Sequence, residues 1–190
     1  MTERMRKGVF RVKIEGEEVP NVVFQTRIRD NSIDGDNPYR WQEMTTDDYF
    51  KGQRVVVFSL PGAFTPTCST YQLPGFESMA NEFAEFGINN IYCMSVNDSF
   101  VMNAWAKDQG LQNVKVIPDG SGLFTNGMGM LVTKDNLGFG QRSWRYAMIV
   151  EDGVIEKMFI EPGKDNNISE DPYGETSPTN ILAWLKENEG

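Results

Sequence analysis

One thiol, Cys68, stands in the run Pro61-Gly62-Ala63-Phe64-Thr65-Pro66-Thr67-Cys68-Ser69, between a stretch that reads as a strand and one with helical periodicity. A thiol in the first turn of a helix faces unpaired backbone N–H groups and the positive end of the macrodipole, and both favour the thiolate. The thiolate is the nucleophile. The competing reading is a buried cysteine acting as a small hydrophobe, the commoner fate of a free thiol. The neighbours argue against it, because Thr65, Thr67, Ser69 and Thr70 form a hydroxyl-rich setting that suits a polar substrate better than core packing.

The chain contains no histidine. That excludes Ser-His-Asp and Cys-His catalysis and any histidine-ligated metal or haem. Whatever activates Cys68 therefore uses backbone dipoles, hydroxyls or a fixed cation. The other cysteine, Cys93, is too far along the chain to complete a Cys-x-x-Cys pair, and two sulfurs without histidine argue against structural zinc. No metal and no cofactor is expected.

Pro61, Thr65 and Cys68 match the Pro-x-x-x-Thr-x-x-Cys active-site loop of the peroxiredoxins. With Leu73-Pro74-Gly75-Phe76 following, the run resembles the peroxiredoxin-5 or type II subfamily. Val96-Asn97-Asp98-Ser99-Phe100-Val101-Met102-Asn103-Ala104-Trp105 and Gly140-Gln141-Arg142-Ser143-Trp144-Arg145-Tyr146 are similar to later blocks of that subfamily. The resemblance runs from about the second strand to the last helix. It implies a thiol peroxidase that reduces hydrogen peroxide and organic hydroperoxides, with peroxynitrite also open.

In that resemblance Cys68 is the peroxidatic nucleophile and passes through a sulfenic acid, and Thr65 orients the peroxide. Arg145 stabilises the thiolate and holds the peroxide oxygens, and Pro61 shapes the loop and shields the sulfur. By position alone Thr65 is equally an ordinary helix-entry hydroxyl. Arg145 is preferred over Arg142 because it immediately precedes Tyr146 and the apolar Ala147-Met148-Ile149-Val150. Arg142 is read as solvated or as standing behind the site, with an exchange of roles left open. Phe64, Leu123, Phe124 and Phe139 could line an apolar side, or serve as core or dimer contacts. The resemblance also implies a homodimer.

A sulfenic acid must meet a second thiol before it over-oxidises. Cys93 lies in Asn90-Ile91-Tyr92-Cys93-Met94-Ser95-Val96, which reads as a buried strand, and the resolving cysteine of some peroxiredoxin-5 proteins, near residues 161–169, is missing. The expectation is a one-cysteine cycle recycled by glutathione and a separate glutaredoxin, since some bacterial relatives fuse a glutaredoxin and this chain does not. The alternative is an atypical two-cysteine enzyme in which Cys93 resolves and thioredoxin is the reductant. A thioredoxin-like redox-sensing or binding module is the reading from another class.

At 190 residues and a net charge of −9, the chain has room for one domain with a substantial core and an acidic surface. Nucleic acid and anionic membrane are poor partners for it. The start, Met1-Thr2-Glu3-Arg4-Met5-Arg6-Lys7, lacks the apolar region of a secretory signal, and two cysteines suit a reducing compartment. A cytoplasmic protein is expected.

Pattern alone predicts an α/β fold with a mixed sheet. The resemblance sharpens this to a thioredoxin-like fold, its mixed central sheet flanked by helices and preceded by an N-terminal β-hairpin. That hairpin is expected from residues 9–14 and 22–28, joined by a turn at Glu15-Gly16-Glu17-Glu18, with 31–38 a loop and 45–50 a short helix capped by Thr45 or Thr46. Core strands are expected over 54–60, 90–96, 114–117, 146–150 and 154–160, the last two joined at Glu151-Asp152-Gly153. Helices are expected over 69–86 with a break or kink at Pro74, over 99–109, near Leu123, and over 178–188 behind a Ser177 cap, with a glycine-rich loop through Gly138 and Gly140.

Overall fold

The computed structural model describes residues 10–189. Its elements in chain order are β1 (Val23–Arg29), β2 (Tyr39–Thr45), α1 (Thr46–Phe50), β3 (Arg54–Ser59), a π-helical turn (Cys68–Gln72), α2 (Leu73–Ser78), α3 (Ala80–Ala84) and β4 (Asn90–Ser95). They continue with α4 (Ser99–Asp108), β5 (Val114–Pro118), α5 (Leu123–Gly127), β6 (Leu131–Thr133), a 3-10 turn (Asp135–Leu137), β7 (Gln141–Ser143), β8 (Tyr146–Glu151), β9 (Val154–Ile160) and α6 (Pro178–Glu189).

The central sheet runs β5-β4-β3-β8-β9, parallel across β5, β4 and β3 and antiparallel from β3 through β8 to β9. Val55, Val56, Val57 and Phe58 of β3 are all fully buried because both faces of the sheet are covered. Strand side chains alternate, so the faces sort by parity. Val55, Val57, Tyr92, Met94, Tyr146 and Met148 join Phe24, Phe50 and Phe124 on one side. Val56, Phe58, Cys93, Ala147 and Ile149 meet Cys68, Phe76, Phe83, Trp105 and Leu185 on the other. Both cysteines therefore belong to one core cluster. The β8–β9 turn is the expected two-residue hairpin, with Asp152 and Gly153 both at positive φ, 47° and 79°.

The N-terminal hairpin is present and keeps one expected strand, 22–28, as β1, but its partner is not the one expected. β1 pairs with β2, Val23 opposite Thr45 and Arg29 opposite Tyr39, across the loop that was expected at 31–38. The second strand escaped notice because its apolar residues, Tyr39, Trp41 and Met44, keep a two-residue period only as far as Trp41, and none of the strand is fully buried. Residues 10–14, expected within the first strand, form no strand, and the expected turn and the residue after it run along the edge of the main sheet instead. Gly16 N donates to Ile155 O at 2.8 Å, Ile155 N to Glu17 O at 2.9 Å, and Val19 N to Gly153 O at 3.0 Å. Val9, where that strand was to begin, and the basic start Met1-Thr2-Glu3-Arg4-Met5-Arg6-Lys7 lie outside the described residues. The glycine-rich loop is flanked by a small antiparallel pair, β6 and β7, whose three-residue strands were too short to read.

The helix after Cys68 is interrupted twice, once near Pro74 and once at Met79. Proline has no N–H to give the carbonyl four residues back, and its ring crowds that carbonyl. The chain answers with a π-turn in which Leu73 N reaches the Cys68 carbonyl, five residues back. Thr45 caps α1, accepting from Asp48 N, and Ser177 Oγ accepts from Asn180 N at 3.2 Å at the start of α6.

Candidate active site

β3 delivers the chain to a tight loop at its C-terminal end. Helical structure begins at Pro66, and Ser69 N donates to Thr65 O at 3.0 Å, so Cys68 sits in the first turn. Pro61 and Cys68 are buried, Cys68 with 0% of its surface exposed. The loop is held from three directions. Ala63 N donates to Asn97 Oδ1 at 3.0 Å, Arg142 Nη1 donates to Pro61 O at 3.3 Å, and Trp105 Nε1 of α4 donates to Ser69 Oγ at 3.0 Å. Thr65 Oγ1 donates to Gly62 O at 2.7 Å, which leaves its lone pairs free to accept.

Arg145 reaches the sulfur through strand register. β8 pairs antiparallel with β3, Tyr146 opposite Ser59, so the residue before Tyr146 lies beside the start of the loop. Its Nη1 is 3.5 Å from Cys68 Sγ and also donates to Gln72 Oε1. Its Nη2 donates to Asp171 Oδ1 at 2.6 Å, and Tyr173 lies with its ring centre 5.7 Å from the guanidinium carbon. Burial works to lower the proton affinity of Arg145, but Cys68 and the Asp171 carboxylate outweigh it and hold the guanidinium above its ordinary value. Arg142, from β7, is half-buried and touches the carbonyls of Pro61 and Phe139.

Cys93 stands opposite Phe58 in the middle of the sheet, fully buried. Burial first, and the nearness of Cys68 second, push its thiol well above the ordinary range, with Arg145 pulling the other way. Of the four residues expected along an apolar side, Phe124 stacks on Phe50 in the opposite core and is remote in role from the loop. Phe139 lies under the Arg142 guanidinium, Leu123 is half-buried, and Phe64 is exposed at a φ of 63°.

Three contacts had gone unread. Gln72 was legible, since it stands four residues after Cys68 on the same helical face. Asn97 lies in a block already singled out, but nothing local marks it as the acceptor for Ala63 N. Asp171 carries no local signal at all.

The Redoxin family model matches residues 15–175 of this chain. A peroxiredoxin of Rhizobium etli is 65% identical over 170 residues, 90% of this chain and 95% of that one. This chain belongs to the peroxiredoxins. The hybrid peroxiredoxin hyPrx5 of Haemophilus influenzae is 49% identical and matches over 90% of this chain and 66% of its own length. Among solved structures, a Plasmodium falciparum antioxidant protein described as a 1-Cys peroxiredoxin superposes with a TM-score of 0.85 at 38% identity, covering 92% of this chain and all of that one. The sheet and its helices are thus the thioredoxin-like peroxiredoxin fold, and the activity is that of a peroxidase acting on hydroperoxides with a thiol reductant.

In this peroxiredoxin Gly62 is a point of close approach. A Cβ there would stand 2.5 Å from Arg142 Nη1 and 3.3 Å from Thr65 Cγ2. The arginine end can swing away, but it then leaves the Pro61 carbonyl. Gly62→Ala is expected to lower kcat/KM for hydrogen peroxide about ten- to a hundredfold through loop displacement, with little change in melting temperature. Steady-state kinetics beside a thermal melt checks this.

Proposed function

We propose that Cys68 is the peroxidatic cysteine of a one-cysteine peroxiredoxin recycled by glutathione and glutaredoxin. The Cys68 thiolate attacks the terminal oxygen of the hydroperoxide in line with the O–O bond. An S–O bond forms, the O–O bond breaks, and the departing alkoxide takes a proton to become the alcohol. Sulfur gives up the two electrons that the peroxide gains. Arg145 Nη1, near the sulfur, stabilises charge developing on the leaving oxygen, and Thr65 Oγ1 accepts the hydroperoxide O–H. Buried Pro61 shields the sulfur from bulk water.

A glutathione thiolate then attacks the sulfenic sulfur; the S–S bond of a mixed disulfide forms as the S–O bond breaks, and the departing hydroxide takes a proton to leave as water. A glutaredoxin thiolate, or a second glutathione, takes the glutathionyl group and returns Cys68.

The observation that carries the one-cysteine reading is the state of Cys93. It is fully buried mid-strand and its thiol is held protonated by burial, so attacking Cys68 would require local opening of the sheet. The absence of cysteine from residues 161–169 and the likeness to the Plasmodium 1-Cys peroxiredoxin support the same reading. The common core cluster of the two cysteines makes their disulfide the outcome to test against.

Intact mass of the reduced protein after one equivalent of hydrogen peroxide, with a sulfenic-acid trap and no reductant, reads this step. A trapped adduct confined to Cys68 is expected, and Cys93→Ser should leave glutathione-supported turnover nearly unchanged. A Cys68–Cys93 disulfide, or a large loss in the serine variant, would instead establish the thioredoxin-linked, two-cysteine cycle.

A further inference from the structure

Arg145 is covered by the segment that joins β9 to α6. The buried Glu161 carboxylate accepts from Gly174 N at 3.1 Å, Glu175 N at 3.0 Å, Thr176 N at 2.9 Å and Thr176 Oγ1 at 2.7 Å. Thr176 Oγ1 in turn accepts from Gln72 Nε2 at 3.3 Å, and Gln72 Oε1 accepts from Arg145. The segment is thereby pinned beside the Cys68 turn. Its Asp171 takes up the outer Nη2 edge of the arginine, with its own side chain 45% exposed against 1% for the arginine. Asp171 is the carboxylate between the site cation and solvent.

We propose that Asp171 is a specificity-determining residue of the peroxide site, neutralising the outward edge of Arg145 and favouring uncharged hydroperoxides over those that carry a negative charge. The inference rests on the reading of Cys68 and Arg145 as the peroxide-handling pair. A bare buried guanidinium attracts any anion. Here one edge faces Cys68 and the other is held by Asp171, so with Cys68 as thiolate the arginine is already outnumbered before substrate arrives.

The surrounding groups do not reverse this. Glu161 from the end of β9 adds a carboxylate, Arg142 from β7 is directed to carbonyls, and Cys93 of β4 and Tyr173 are held neutral, the latter's hydroxyl pushed up by burial. An anionic peroxide brought to the Cys68–Arg145 pair meets a guanidinium whose second edge is already paired with the Asp171 carboxylate, so it gains less than it would from a bare cation. The net charge of −9 acts over longer distances and is screened.

The test uses the full chain and two matched probes, 3-hydroperoxy-3-methylbutanoate and its methyl ester, with hydrogen peroxide as reference. Rate constants for oxidation of Cys68 are read by tryptophan fluorescence. Asp171→Asn keeps an oxygen to accept from Arg145 Nη2 and removes the charge. Glu170→Gln removes a charge from the exposed neighbour. The wild-type protein should favour the ester, and Asp171→Asn should shrink the ester-to-carboxylate ratio about three- to tenfold, as loss of one charge a short distance from the substrate requires. Asp171→Ala should shift the ratio the same way, and Glu170→Gln should leave it at the wild-type value.

A ratio unchanged in both Asp171 variants, or moved equally by Glu170→Gln, overturns the proposal. So does an Asp171→Asn protein in which all three rates fall together at constant ratio, since that outcome assigns Asp171 only to holding the arginine. In each of these cases oxidation by hydrogen peroxide leaves the Cys68 reading standing. Failure of wild-type Cys68 to react with any of the three removes both.

Discussion

Cys68→Ser is expected to reduce peroxide turnover to the rate of the thiol reductant alone. A serine hydroxyl stays protonated where a thiolate forms, and oxygen cannot take up and hand on peroxide oxygen as sulfur does. The fold should tolerate the exchange. Cys68 is fully buried beside Arg145 Nη1, and a hydroxyl there still accepts from that donor. One sulfur replaced by one smaller oxygen leaves a void below the size of a methyl group, so the melting temperature should move by no more than about 2–4 °C. A peroxidase assay coupled to reductant consumption, beside a thermal melt, reads both effects. Turnover surviving in the folded variant would remove Cys68 as the nucleophile. A wild-type protein whose Cys68 oxidises without turning over would instead be a redox-sensing module.

Arg145→Met should slow oxidation of Cys68 by hydrogen peroxide about a hundred- to a thousandfold, the usual cost of deleting a donor aimed at developing negative charge. Methionine fills much of the same space without charge. It leaves Gln72 Oε1 unpaired inside the protein, a cost of about 1–3 kcal/mol, whereas Asp171 can turn to solvent. Lysine should rescue poorly, because one ammonium cannot span Cys68, Gln72 and Asp171 as the planar guanidinium does. Arg142→Met should cost less, since its contacts are the carbonyls of Pro61 and Phe139. Stopped-flow rate constants for the three variants check the order. A larger loss at Arg142 would reverse the two roles. Because Arg145 is held above its ordinary value, the pH profile of the oxidation step should carry no limb from its deprotonation in the range where the protein is folded.

How far the site could be read in advance differed from residue to residue. The strand, the loop and the turn around Cys68 were legible because each is encoded within a few neighbours: an apolar run, Pro-Gly, hydroxyls, then helical spacing. Pro74 announced a disturbance of the helix through its missing N–H, and the π-turn is the form it took. The second strand of the N-terminal hairpin was missed for the opposite reason. Tyr39–Thr45 fully buries none of its residues, so pairing with β1 demands only the broken alternation of Tyr39, Trp41 and Met44.

By itself the sequence determined the candidate nucleophile, the exclusion of histidine chemistry, the α/β order of elements and the family resemblance, all carried by residue identity and short spacing. Only tertiary structure decided which arginine meets the sulfur, because that depends on Tyr146 standing opposite Ser59 in an antiparallel pair. It likewise put Cys93 in the middle of a doubly covered sheet, and brought Asn97 to the loop and Asp171 to the arginine from distant parts of the chain. Contacts between residues far apart in sequence leave no periodicity and no local motif, so packing and strand register alone set them.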